Sequence, residues 1–312
     1  MNWNVLIADE MHPSLFEMLD KIGIQYSYQP TIKRDEIKTE LSHYEGLIIR
    51  SKTVVDKDLL DFGNNLKFIA RAGAGLDLID LEETKNRKIE LFAANEGNRD
   101  AVAEHTLAMI LCLFNKINLA NAEVKNGIWH REANRGLELM GKTWGIIGFG
   151  NNGQATAQRL SGFGVEVLAF DKFDKNIGNN FAKKATMNEI FEKADILSIH
   201  VPLTELTNKM VNSDFLKKFK KKIFLINIAR GEIVVLKDLL EALHSGKVLG
   251  ACLDVFENEK IKDLNQEEKQ IFDSLAALPN TIFTPHIAGW TQESYVKINE
   301  VLVEKIKSFL KI

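Results

Sequence analysis

Cysteine is nearly absent from this chain: Cys112 and Cys252 are the only two in 312 residues. Both sit in apolar stretches with neither CxxC spacing nor a His/Cys cluster nearby. That excludes a disulfide framework and a thiolate metal site, and predicts buried free thiols in a reducing compartment. Long apolar runs are missing too. No stretch reaches the roughly 18 uninterrupted apolar residues of a membrane-spanning helix, and the start, Met1-Asn2-Trp3-Asn4-Val5-Leu6-Ile7-Ala8, lacks the basic opening and apolar segment of a secretory leader. A cytoplasmic chain with no membrane partner is expected. Charge of one sign is also scarce, since 40 Lys and Arg against 43 Asp and Glu leave −3 at pH 7. This gives no bulk electrostatic support for a nucleic-acid partner. The densest basic run, Lys217-Lys218-Phe219-Lys220-Lys221-Lys222, reads as a solvated helix end before a buried strand.

What is present is a composition of 45% apolar and 27% charged residues, in a length that suits two domains. Short apolar runs alternate with helical patterns, the signature of parallel strands joined by crossover helices, so the fold class is α/β. One sheet is predicted from residues 5–8, 24–28, 46–50, 67–71 and 89–92, with helices over 13–22 and 34–41. A second is predicted from 144–147, 165–171, 196–200, 223–228 and 248–255, with a last strand over 281–285. Between them, 100–125 carries Val102, Thr106, Met109, Ile110 and Leu113 at helical spacing and could bridge the domains. Residues 294–310 form an amphipathic helix, with Val296, Val301, Val303 and Phe309 among its apolar positions. It lies too late to serve the second sheet and is expected to return to the first. The domains predicted are thus 1–98 plus 286–312, and 99–285, the second inserted in the first.

Gly148-Phe149-Gly150-Asn151-Asn152-Gly153 follows the apolar run ending at Ile147 and precedes a helix over 154–163. Glycines in that order let the backbone turn tightly, approach a pyrophosphate and pack a helix on a strand. Asp171 ends the next strand, about 20 residues on, where a carboxylate accepts ribose hydroxyls. It would repel a 2′-phosphate, which predicts NAD over NADP; Lys172 beside it softens that only slightly. Motif and setting together predict a Rossmann domain.

Three segments deliver polar groups at the C-terminal ends of second-half strands, where open α/β sheets bind ligands. They carry Arg230, Asp254 with Glu259, and His286. A guanidinium at 230 could grip a carboxylate or carbonyl through two fixed donors, though from position alone a surface ion pair reads equally well. His286 can move a proton near neutral pH, with Glu259 to hold its tautomer; alone, a His after Pro reads as structural. Together these groups supply what hydride transfer to a 2-oxo acid requires.

With these motifs, the chain resembles the D-isomer-specific 2-hydroxyacid dehydrogenases over nearly its full length. Arg71-Ala72-Gly73-Ala74-Gly75-Leu76-Asp77, the glycine motif, His200-Val201-Pro202-Leu203-Thr204, and the segments 227–231, 253–259 and 284–289 occur in that family's order. The resemblance implies a flavodoxin-like substrate domain formed by both chain ends and a catalytic triad of Arg230, Glu259 and His286. It implies that the 71–76 loop offers backbone N–H groups to the substrate carboxylate. Val201 and Pro202 would line the adenine pocket, Asp254 would bind the nicotinamide amide, and Ile228, Ala229, Arg230 and Gly289 would border the nicotinamide ring; the alternatives are Pro202 ending a strand, Asp254 as a cap and the glycines as turn residues. Lys260 departs from the Pro that often follows the family's catalytic Glu, which puts the turn there in doubt.

Arg50-Ser51-Lys52 resembles the basic loop of the family's phosphoglycerate dehydrogenases, implying a phosphorylated small-molecule substrate. The substrate expected is 3-phospho-D-glycerate, oxidised to 3-phosphohydroxypyruvate on the way to serine. An exposed loop of ordinary surface charge is the alternative, with glyoxylate or hydroxypyruvate as substrate. Segment 127–131 resembles the family's inter-subunit segment, so a homodimer is expected, with Arg131 contributing a charge across the interface. The chain stops soon after the helix at 294–310, so no serine feedback through a C-terminal regulatory domain is expected. A different class is an NAD(H)-responsive interaction module, which retention of the triad does not exclude.

Overall fold

A computed structural model describes residues 3–173 and 180–312. The chain divides into two compact units, Met1–Arg99 with Trp290–Ile312, and Asp100–Gly289.

In the first unit, five parallel strands run in the order β2-β1-β3-β4-β5. They are β1 (Asn4–Ile7), β2 (Gln25–Tyr28), β3 (Gly46–Ile49), β4 (Phe68–Arg71) and β5 (Glu90–Ala93). This is the flavodoxin order. Side chains alternate across the sheet: Val5, Ile7, Ile48 and Phe68 fill a core on one face, while Leu6, Leu47, Ile49 and Ile69 fill one on the other. The helix Gln292–Leu310 covers the first face against Ser14–Lys21. Its buried stripe is Ser294, Ile298, Leu302 and Ile306, spaced by four, with Val303 beside it. Of the expected apolar positions, Val296 is not in that stripe, and Phe309 is partly exposed at its edge.

The second unit holds seven parallel strands in the order β12-β11-β10-β9-β6-β7-β8. These are β6 (Thr143–Ile147), β7 (Glu166–Phe170), β8 (Lys183–Lys184), β9 (Ile196–Ile199), β10 (Ile223–Asn227), β11 (Val248–Leu253) and β12 (Thr281–Phe283). Counted from β6 as strand one, the order is the Rossmann 3-2-1-4-5-6 with a seventh strand added. β9 and β10 are buried along their whole length, as sheets covered on both faces require. Trp144 in β6 is fully buried and donates its indole N–H to Ser198 of β9 (2.8 Å).

The 100–125 segment is two helices, Arg99–Phe114 and Ile117–Lys125, bent by 59°. The break falls at Lys116, which has φ +50°. The first helix buries Val102, Met109, Ile110 and Phe114 in the core of the second unit. Cys252 is buried, and burial raises its thiol pKa. Contrary to expectation, Cys112 is only partly buried, its Sγ 3.2 Å from the Asn118 side chain.

Candidate active site

The sheet order of the second unit reverses between β6 and β9, and the glycine motif leaves β6 at that point. Gly148 has φ +92°, and a Cβ there would lie 2.7 Å from the carbonyl carbon of His200 and 2.8 Å from Val201. Only glycine fits. Gly153 plays the close-packing part, since an added Cβ would meet Gly148 O at 2.2 Å.

Gly150 is different: an added Cβ would meet no protein atom within 4 Å. It caps the helix Asn151–Leu160 without any side-chain cap. No side chain from the cap position takes up the first N–H groups of that helix, as an anion site requires. Asn152 adds a buried side-chain oxygen with no protein partner. Phe149 is buried, and its N–H donates to Asp171 (2.8 Å), whose other oxygen accepts from Phe173 N–H (2.9 Å). These residues fit a dinucleotide, whose phosphates Gly150 would hold and whose ribose Asp171 would hold. Val201 is half-buried against the loop and Pro202 is exposed.

The chemistry-bearing side chains stand at three adjacent strand ends, with Asn227, Leu253 and Phe283 in register across β10, β11 and β12. Asn227 is fully buried and clamps the turn after β10, accepting from Ala229 N–H (3.1 Å) and donating to Arg230 O (2.9 Å). A Cβ on Gly231 would lie 1.9 Å from the Phe256 carbonyl carbon and oxygen. Backbone therefore touches backbone there, seating Arg230 beside the segment that carries Glu259. Arg230 Nη1 donates to Ala229 O (2.7 Å). Ile228 is buried in the core and Ala229 and Gly289 are half-buried.

His286 sits after β12 with φ +56°, a left-handed conformation that costs a non-glycine residue about 1 kcal/mol. Its backbone N–H donates to Asp254 O (2.7 Å). Its Nδ1 lies 2.9 and 3.0 Å from the two carboxylate oxygens of Glu259. A carboxylate only accepts, so Nδ1 carries the proton and Nε2 presents a lone pair. The Lys260 departure is accommodated: Lys260 N–H donates to the Asn258 side chain (3.0 Å), a bond proline could not make, which closes an Asx turn in proline's place. Glu259 and His286 line a cavity of about 350 Å³ with Phe256, Ile261 and Thr284.

Asp254 does something the resemblance did not imply. Its side chain is fully buried and accepts from Ile287 N–H (2.9 Å), Ala288 N–H (2.8 Å) and the Thr284 hydroxyl (2.5 Å). Its structural duty is to hold the turn carrying His286.

The loops singled out in the first unit also need correction. Ala72 N–H donates to Ile49 O (2.8 Å) and Gly73 N–H to Arg71 O (2.9 Å), so neither is available to a carboxylate. Among the described residues, the N–H groups of Ala74, Gly75 and Leu76 have no such acceptor. Arg71 donates through Nε to Arg50 O (2.9 Å) and folds over Gly73, where a Cβ would lie 2.2 Å from its guanidinium.

The backbone N–H groups of Arg50, Ser51 and Lys52 all point at one oxygen of Asp9, at 2.7, 2.9 and 3.0 Å. Thr53 holds the other oxygen at 2.6 Å. Burial alone would raise the Asp9 pKa, but the Thr53 and backbone hydrogen bonds and the nearby Lys52 hold it below the usual carboxylate range. The Lys52 ammonium donates to Pro30 O (2.8 Å) and Ile32 O (3.1 Å), which uses two of its three N–H groups inside the first unit. Arg50 lies 4.0 Å from the Trp290 ring centroid and 4.7 Å from that of Tyr295, and donates to the Tyr295 hydroxyl. Ser51 is exposed. Asp9 was missed as a sequence candidate, although a charged residue directly after an apolar strand was the signal that selected Asp171 and Arg230.

A Rossmann sheet with a carboxylate-paired imidazole at its C-terminal edge defines a dinucleotide-binding α/β protein equipped for proton transfer. The family model for the D-isomer specific 2-hydroxyacid dehydrogenase NAD-binding domain matches residues 107–288. The D-3-phosphoglycerate dehydrogenase of Bacillus subtilis is 37% identical over 314 residues, covering 99% of this chain and 57% of that one. The hydroxypyruvate reductase of Thermotoga maritima is 36% identical over 277 residues, 88% of each chain. A D-lactate dehydrogenase from Aquifex aeolicus, solved with NAD and lactic acid, superposes with a TM-score of 0.82 at 28% identity, over 99% of this chain and 95% of that one. The chain belongs to the D-isomer-specific 2-hydroxyacid dehydrogenases, and NAD is its cofactor. It spans little more than half the length of the Bacillus relative.

Proposed function

We propose that this protein oxidises a D-2-hydroxy acid to the 2-oxo acid, with 3-phospho-D-glycerate as substrate and 3-phosphohydroxypyruvate as product. The observation that carries the reading is the Glu259 carboxylate on His286 Nδ1. His286 Nε2 takes the hydroxyl proton as the carbonyl forms, and Glu259 stabilises the imidazolium. Arg230 binds the acid and polarises the forming carbonyl oxygen. NAD, when bound, accepts the hydride from C2. In the opposite direction His286 returns the proton to the alkoxide. Within the first unit, Ala74, Gly75 and Leu76 N–H suit a carboxylate and Arg50 suits a phosphate.

The Bacillus relative's name supports the phosphorylated substrate. Hydroxypyruvate reduction is the second reading, favoured by the inward use of Lys52 and by the Thermotoga relative. A panel of 3-phosphohydroxypyruvate, hydroxypyruvate and glyoxylate with NADH and NADPH separates them. Loss of a charge-assisted contact costs about 1.5–3 kcal/mol, so Arg50→Ala should raise KM for the phosphorylated substrate by roughly ten- to a hundredfold. KM for hydroxypyruvate should change little. Equal effects on both would sink the phosphate assignment, and nucleotide binding without turnover on any substrate would point to an NAD(H)-responsive module.

We also propose a homodimer. The helix Ile117–Lys125 buries none of its residues, and Ile117, Leu119, Val124 and Trp129 are exposed, Trp129 by 80%. An apolar surface of this kind fits a second copy of the chain. Light scattering should give twice the chain mass, and Trp129→Glu should halve it; a monomeric parent protein would refute the assembly.

A further inference from the structure

We propose that His105, on the helix Arg99–Phe114, is a positioning residue for His286, held as its Nε2–H tautomer and acting through Thr284 and Asp254. The argument follows one proton. The Thr284 hydroxyl has a single hydrogen and three neighbours: Asp254 Oδ1 at 2.5 Å, Met109 Sδ at 3.9 Å and His105 Nε2 at 3.0 Å. The Asp254 carboxylate already faces Ile287 and Ala288 N–H, one at each oxygen, and is an acceptor there. A thioether is a weak acceptor, and a short bond to a carboxylate is the strongest of the three choices. The hydroxyl proton therefore points at Asp254, and toward His105 the hydroxyl can only accept. His105 must donate from Nε2.

Burial lowers the His105 pKa against the opposing charge of Asp254. Burial therefore favours the neutral ring, and the geometry at Thr284 puts its N–H at Nε2. It lies 3.7 Å from Asp254 Oδ1, too far to replace Thr284 by donating directly.

The consequence reaches the chemistry through the turn. Asp254 holds the N–H groups of the two residues after His286, whose own backbone is strained at φ +56°. A free Thr284 hydroxyl could rotate away from Asp254, leaving that carboxylate one donor short. The His105 N–H fixes the rotor and, with it, the turn that sets His286 against Glu259. The helix Arg99–Phe114 thereby contributes a polar group to a site that is otherwise built from strand ends.

This inference rests on the proton-transfer reading of His286, and the test separates the two. His105→Leu should lower kcat by about ten- to a hundredfold, as a small misplacement of a reacting group does, with NADH affinity within a factor of two or so. His105→Gln can place its amide N–H near the former Nε2 and should recover most of that loss; His105→Asn is too short and should not. Adding Thr284→Val to His105→Leu should cost little further, because the two act as one unit. Nitrogen-15 spectra of labelled histidine should show His105 as Nε2–H, changed in Thr284→Val. An Nδ1–H tautomer, undiminished kcat in the Leu variant, or equal losses for Leu and Gln would overturn the proposal. If the Leu variant does not fold, the Gln and Asn variants decide it. Normal turnover of His286→Asn would refute the function reading, and the ring spectrum would then judge the hydrogen-bond chain by itself.

Discussion

His286→Asn should lower turnover by roughly 10²- to 10⁴-fold, the usual worth of a positioned general acid or base, while NADH binds as before. Asparagine suits this test for two physical reasons. It tolerates the left-handed backbone better than most residues, so the φ of +56° does not confound the result. Its amide N–H can also meet Glu259 where Nδ1 now does. What is lost is Nε2, the nitrogen assigned to proton transfer. Steady-state kinetics give the turnover and NADH fluorescence titration the affinity; full activity would remove His286 from the proton-transfer role.

The second large effect is expected at a backbone contact rather than at a group that moves a proton. In Gly231→Ala, the new methyl would lie 1.9 Å from Phe256 backbone atoms, and neither neighbour is a flexible side-chain tip that could move aside. Forced overpacking of this kind costs about 1–3 kcal/mol, and here the relief must come from the turn that positions Arg230. Activity should fall by about two orders of magnitude, with a Tm several degrees lower. Gly150→Ala is the control, since its methyl meets no protein atom. It should lose no more than about 1 kcal/mol of stability and weaken NADH binding instead. If both variants behaved alike, the distinction between a packing glycine and a ligand-facing one would fail.

Much of this was legible in the sequence because strand-end residues announce themselves. An apolar run that stops at Asp171, Arg230 or Asp254 marks the carboxyl edge of a sheet, and parallel register then brings distant segments together. Register does not reveal which backbone N–H a side chain will meet. That is why the bonds from Ile287 and Ala288 N–H to Asp254, and from Lys52 to the carbonyls of Pro30 and Ile32, could not be read from the sequence. β8 was missed for another reason: two exposed lysines carry no apolar signal. His105 and Thr284 stayed hidden because their meaning lies in a shared proton, and a proton's direction follows from three-dimensional neighbours alone.

The Asp9 carboxylate inside the 50–52 loop separates two properties that anion-binding loops usually combine. Where a bound anion gathers a loop's N–H groups, the loop's shape and its selectivity depend on the same contacts. Here the protein supplies its own anion, since Asp9 gathers the three N–H groups of the loop. On the proposed phosphate reading, selectivity would be left to side chains standing outside that ring, Arg50 foremost. A substitution at Arg50 would then change substrate preference with the loop's architecture left untouched.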